Sequence, residues 1–155
     1  TLITRGIDGN TDPNGEVYGA PYRWGCTMIA YRKDKLRKRG LAYPQDWSDL
    51  WRDDLRGRIA MVDAPREVIG AALKAQGLSY NTSDIPCMPI IEERLRTLHR
   101  KQVRLFSSTD HVKALASGEI WIVVGWSNEL ISAAMKSSNV GLCVPASGVS
   151  LWADL

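Results

Sequence analysis

The run IWIVVGW, residues 120–126, constrains this chain more than any other stretch. Alternating apolar and polar residues mark a strand with one face in water, whereas an unbroken apolar run marks a strand covered on both faces. A sheet covered on both faces needs layers of helices. The rest of the chain offers them in alternation with further strands. TMIAY (27–31) is a strand by its β-branched and aromatic content. PQDWSDLWRDDLRG reads as a short helix capped by Asp46 or Ser48 and stopped by Gly57. RIAMVD (58–63) is a short buried strand. In APREVIGAALKAQG, Pro65 suits a first helical turn, Val68, Ala71, Ala72 and Ala75 share a face, and Gly77 ends the helix.

SYNTSD is a loop. PIIEERLRTLHRK puts Ile91, Leu95 and Leu98 on one face of an amphipathic surface helix. VRLFS is a strand, STDHVKALASGE a capped helix ending at Gly118, SNELISAAMKS a helix with Ser127 as its N-cap, and VGLCVP a strand. ASGVSLWADL is a turn followed by an extended piece, and the Gly-, Asp- and Asn-rich first twenty residues read as irregular. This order predicts an α/β fold with a mainly parallel sheet flanked by helices. Ligands of such sheets bind outside the carboxyl ends of strands, at helix N-termini. The rule points to Asp63–Glu67 and to Trp126–Glu129, both just after a buried strand.

Bulk numbers exclude several classes. The chain has 155 residues, 45% hydrophobic and 24% charged, the size and balance of one soluble domain. No apolar run approaches the ~18 residues of a membrane span. The opening TLITRGIDGN is neither basic-then-apolar nor Arg/Ser-rich, so a mature protein, or a piece of one, is expected. Six of the ten residues in YRKDKLRKRG (31–40) are Lys or Arg, which gives most of the +3 net charge. No stacking platform or arginine-glycine repeat accompanies them, so a solvated surface segment is expected rather than a nucleic-acid patch. Cys26, Cys87 and Cys143 are too few and too scattered for a disulfide framework, and Cys26 and Cys143 lie in apolar runs as expected of buried thiols. His99 and His111 stand apart from each other and from any cysteine, so no metal or other cofactor is expected.

Enzymatic motifs are absent too. There is no GxSxG elbow, no Walker A loop, no GxGxxG and no HExxH. The carboxylate pairs Asp53/Asp54 and Glu92/Glu93 fall on polar helix faces and read as solvated. What remains is a set of aromatics and acids at strand ends: Glu67, Trp126, Glu129, Trp152 and Asp154. Indole faces attract ammonium groups, and carboxylates add charge-assisted hydrogen bonds. Together they suit a primary amine carrying methylene groups. Core tryptophans and helix-capping acids would leave the same pattern, and Glu129 in a first helical turn favours the macrodipole with or without a ligand.

The segments YGAPYRWG, DWSDLWRDDLRGRIAMVDAPREVIGAAL, GLSYNTSD, ALASGEIWIVVGWSNE and VPASGVSLWAD resemble, in order and across nearly the whole chain, the polyamine (spermidine/putrescine)-binding periplasmic solute-binding proteins of ABC importers. PYRWG, DAPREVIGA, KQVRLF and SLWADL resemble most a plant and algal branch targeted to plastids. The resemblance implies a periplasmic-binding-protein-like α/β lobe and capture of a small polyamine for a transport system, with a membrane permease or larger membrane-associated complex as partner and no nucleic acid. The location implied is the chloroplast for the plastid branch and the periplasm otherwise. A plastid protein that keeps the fold but acts as a scaffold in a larger complex is the alternative. Carried over position by position, the amine-binding residues implied are Glu67, Trp126, Glu129, Trp152 and Asp154.

Two departures bear on the ligand. Spermidine-selective relatives place an acid three residues before the PREV glutamate, where this chain has Ala64. Glu129 resembles the putrescine-type arrangement with one methylene more than the usual Asp, so a short diamine is favoured. Family members are about twice this length. Residues 1–155 are therefore expected to form the second lobe and hinge strands of a bilobal protein, with the first lobe and C-terminal helices largely absent.

Overall fold

The computed structural model of the chain describes residues 3–6, 8, 10–20, 22–83 and 88–154. One strand organises it. β3 (Arg23–Arg32) has two halves with different partners. Its second half pairs antiparallel with β6 (Ile122–Trp126) on one edge and with β7 (Val140–Cys143) on the other. Beyond β6 lies β4 (Ile59–Met61), then β5 (Val103–Phe106), giving the order β5-β4-β6-β3-β7. The first half of β3 leaves this sheet. Among the described residues Arg23–Cys26 pairs only with β8 (Ser150–Asp154), in a register that sets Arg23 opposite Asp154 and Gly25 opposite Trp152.

The α/β class holds, but the sheet is mixed, not mainly parallel. Parallel pairing is confined to β4 and its two neighbours, and all three pairings of β3 are antiparallel. Hydrophobic patterning reports whether a strand is covered, not which way it runs.

Side-chain alternation explains the layers. Ile59 and Met61 of β4, Ile122 and Val124 of β6 and Ile29 of β3 pack on one face with Trp47, Leu50, Leu55, Ala71 and Leu98. Ala60, Val123, Met28 and Ala30 face the other way, onto Leu115 and Leu130. The first layer holds α2 (Pro65–Lys74), α3 (Met88–Thr97) and the 3-10 turns Trp47–Trp51 and Asp53–Leu55. The second holds α4 (His111–Ser117) and α5 (Ser127–Lys136). IWIVVGW is thus covered on both sides, as its composition predicts. Trp47 is 1% exposed, and its Nε1 donates to the Gly148 carbonyl at 2.8 Å, which satisfies the one polar atom the ring buries.

Several local expectations change. The helix expected before Gly57 is two 3-10 turns. Asp46 does cap the first: its Oδ1 accepts from Trp47 N at 2.8 Å, and Asp49 Oδ2 accepts from Asp46 N at 3.0 Å. Ser127 is the first residue of α5 rather than its cap, because its Oγ accepts from Cys26 N at 3.2 Å and so ties the helix to β3. The first twenty residues contain an antiparallel pair, β1 (Ile3–Arg5) and β2 (Glu16–Gly19), with aspartate-capped turns between them. Cys143 is buried, Cys26 is half-buried, and both are free; Cys87 lies outside the described residues. The basic segment forms α1 (Lys33–Lys38), and Arg32 before it turns inward to donate to the carbonyls of Leu115 and Ala116.

A cavity where the ribbon leaves the sheet

β4 and β6 run parallel, so their carboxyl ends open on the same side, and each leads into a helix N-terminus there. β4 leads to α2, with Glu67 in its first turn; β6 ends in Trp126 and leads to α5, with Glu129 in its first turn. The β3–β8 ribbon rises beside them, and Trp152 and Asp154 lie two apart on β8, hence on one face. The structure brings all five sequence-predicted residues to one cavity of about 330 Å³, which Arg23 and Asn128 also line.

Glu67, Glu129, Trp152 and Asp154 each lie against an identifiable neighbour. Glu67 is only 8% exposed and accepts a 2.7 Å hydrogen bond from the Tyr80 hydroxyl. Burial and this carboxylate push the Tyr80 phenol well above its usual range, so it stays a donor. The pair needs Gly70, since a Cβ there would lie 1.6 Å from Tyr80 Cε2. Ala64, the N-cap of α2, makes no side-chain capping bond.

Glu129 Oε2 lies 3.2 Å from Nε2 of His111, which is 1% exposed. Burial pushes the His111 imidazole below its ordinary value of 6.5 against the opposing pull of Glu129, so the ring is mainly neutral at pH 7. Behind this pair a second cavity, about 380 Å³ and largely apolar, opens between α4 and α5, with Val112, Ala133 and Val140 in its wall.

Trp152 lies over the backbone of β3. Its register places it opposite Gly25, where a Cβ would fall 2.6 Å from Trp152 Cζ2. Asp154 pairs with Arg23 Nε at 2.5 Å, and the Arg23 guanidinium stands 5.9 Å from the centre of the Trp152 ring. The hydrogen bond and charge of Asp154 raise the Arg23 pKa further.

Arg23 and Asn128 are the lining residues that sequence reasoning missed. Arg23 sits in PYRWG, but its approach to Asp154 depends on a pairing across 131 positions that no local pattern encodes. Asn128 stands beside the expected Glu129 and could have been found by listing the whole first turn of α5. Among the described residues no cluster of His, Cys, Asp or Glu could hold a metal ion, and no helix is long and apolar enough to cross a membrane.

The mixed α/β sheet flanked by helices has the fold of periplasmic-binding-protein-like structures. The profile of the bacterial extracellular solute-binding proteins matches residues 2–155, and the chain belongs to that family. It is 31% identical over 150 residues to a putrescine/cadaverine-binding protein of Pseudomonas aeruginosa, covering 90% of this chain and 42% of the relative. It is 28% identical over 143 residues to the spermidine/putrescine-binding periplasmic protein of Escherichia coli, covering 92% and 40%. Among solved structures, the spermidine/putrescine ABC transporter substrate-binding protein of Streptococcus pneumoniae superposes with a TM-score of 0.78 at 26% identity, over 90% of this chain and 42% of that one. The chain therefore spans well under half the length of these relatives.

Proposed function

We propose that this chain is one wall of a polyamine-binding cleft, the second lobe of a bilobal receptor that captures a small linear amine for an ABC-type importer. The observation that carries this reading is the convergence of Glu67, Trp126, Glu129, Trp152 and Asp154 on one cavity. Methylenes of the ligand lie on the indoles, where a nearby ammonium gains about 0.5–2 kcal/mol per ring. The ammonium ends meet carboxylates, of which Glu67 is already oriented by Tyr80, so less side-chain ordering is left to ligand binding. Ala64 removes the acid that spermidine-selective relatives carry, and Glu129 supplies one on the α5 side, a combination that suits a short diamine.

The role proposed is reversible capture: acids and indoles, with Arg23 and Asn128, line the cavity. A second lobe closing over this wall completes the cage, and a membrane permease receives the ligand. The relatives named above from Escherichia coli and its like are periplasmic. A compartment outside an import channel suits the receptor, and the segments that resemble the plastid branch make the chloroplast the corresponding place in a plant or alga.

Thermal unfolding with and without putrescine and spermidine tests the reading. A ligand that binds only the folded state stabilises by RT ln(1 + [L]/Kd), about 4 kcal/mol at a thousandfold excess over Kd. Putrescine at millimolar concentration should raise the midpoint; Glu129→Gln should shrink that rise, and Asp154→Asn should shrink any rise with spermidine. No shift with any amine, or full binding by both variants, overturns it.

A further inference from the structure

We propose that Arg23 is a resident cation of the cavity, occupying the amine position formed by Asp154 and the Trp152 ring and thereby limiting the ligand to two positive charges. This rests on the amine-binding reading above and goes beyond it by naming what selects the ligand's charge.

The geometry of Arg23 is that of a bound amine. Its Nε meets the Asp154 carboxylate at 2.5 Å, and its guanidinium carbon stands 5.9 Å from the centre of the Trp152 ring. A carboxylate in line plus an indole face is the pair of contacts expected of a ligand ammonium. The β3–β8 register makes the arrangement possible, since Arg23 is directly opposite Asp154 and Gly25 directly opposite Trp152. Residues paired across two strands share a face, and Arg23, Trp152 and Asp154 all line the same cavity.

The charge count follows. Glu67, Glu129 and Asp154 bring three negative charges, and Arg23 cancels one. The remaining two belong to Glu67 and Glu129, and among the described residues neither pairs with a Lys or Arg: Glu67 accepts from the Tyr80 phenol, and Glu129 lies beside the buried His111. A linear diamine, doubly charged at neutral pH, matches these two acids. A triamine carries a third ammonium whose natural partners are already taken by Arg23. The Arg23 and Asp154 side chains are 58% and 44% exposed, so the pair is solvated and can be displaced. Its effect is therefore a bias between ligands rather than an absolute block.

The test is calorimetric titration of the intact protein with putrescine and with spermidine, in wild type, Arg23→Met and the double variant Arg23→Met/Asp154→Asn. The wild type should prefer putrescine. Arg23→Met, which keeps an apolar stem over the ring, should move the spermidine-to-putrescine affinity ratio toward spermidine by about tenfold, and the double variant should lose most of that shift. A ratio unchanged in Arg23→Met, with putrescine still bound, overturns the role of Arg23 and leaves amine capture standing. A shift that persists in the double variant also overturns it, because the vacated position is then not Asp154. Failure of either amine to bind any form overturns both readings.

Discussion

Gly70→Ala would be an ordinary stabilising change in most helices. Here it should do the opposite, and by an amount that can be assembled from the contacts. Gly70 lies inside α2, where alanine is favoured over glycine by about 1 kcal/mol. The added methyl would sit 1.6 Å from Tyr80 Cε2 and 2.2 Å from Cδ2, far inside contact distance, so the ring must leave. Overpacking of this kind costs about 1–3 kcal/mol. Moving the ring also breaks the 2.7 Å hydrogen bond from Tyr80 to the 8%-exposed Glu67 carboxylate, worth about 1.5–3 kcal/mol for a charged acceptor. The net expectation is a loss of about 2–4 kcal/mol, seen as a lower urea midpoint with an unchanged slope. The decisive control is the same substitution in a Tyr80→Ala background. With the ring gone, the three nearest clashing atoms go with it and the helix preference of about 1 kcal/mol favours alanine, so Gly70→Ala should then stabilise. An equal loss in both backgrounds would refute the account, since it would show that Tyr80 is not what the glycine makes room for.

Two further outcomes are expected. The buried His111 takes up a proton only below its ordinary value of 6.5, whereas the unfolded chain takes it up near 6.5; stability from this group is therefore full above that pH and falls as the solution is acidified toward the folded pKa. Urea midpoints measured between about pH 5 and 7 should show this fall. His111→Gln should flatten it, while an identical slope in the variant would assign the effect to other groups. Gly25→Ala places a methyl 2.6 Å from Trp152 Cζ2 and should tilt the indole off the strand. Spermidine affinity should drop by about tenfold, consistent with losing one cation–π face, and a spermidine affinity within twofold of wild type would show that Trp152 does not stack on the ligand.

Much of this protein was written in local sequence. The apolar run at 120–126, the helices that follow RIAMVD and IWIVVGW, and the acids at Glu67 and Glu129 in first turns all follow from periodicity and capping chemistry, which act over one or two turns of chain. The placement of Glu67, Trp126 and Glu129 at or just after buried strands follows as well, because a strand end leading to a helix N-terminus is a feature of sequence order. Strand direction was not legible: β3 has the composition of a buried strand whether it runs with β6 or against it. Nor was Ser127 legible as a tie to β3, since capping a helix and accepting from Cys26 ask for the same hydroxyl.

Sequence alone therefore determined the class of fold and which residue types stand at the strand ends, because burial and helix initiation are local. Tertiary structure decided that those residues share one cavity and that Arg23 stands among them. Both depend on the split of β3 between the sheet and β8, and so on which strands meet and in what register. The ion pair between Arg23 and Asp154 exists only because that register sets two distant residues on the same face.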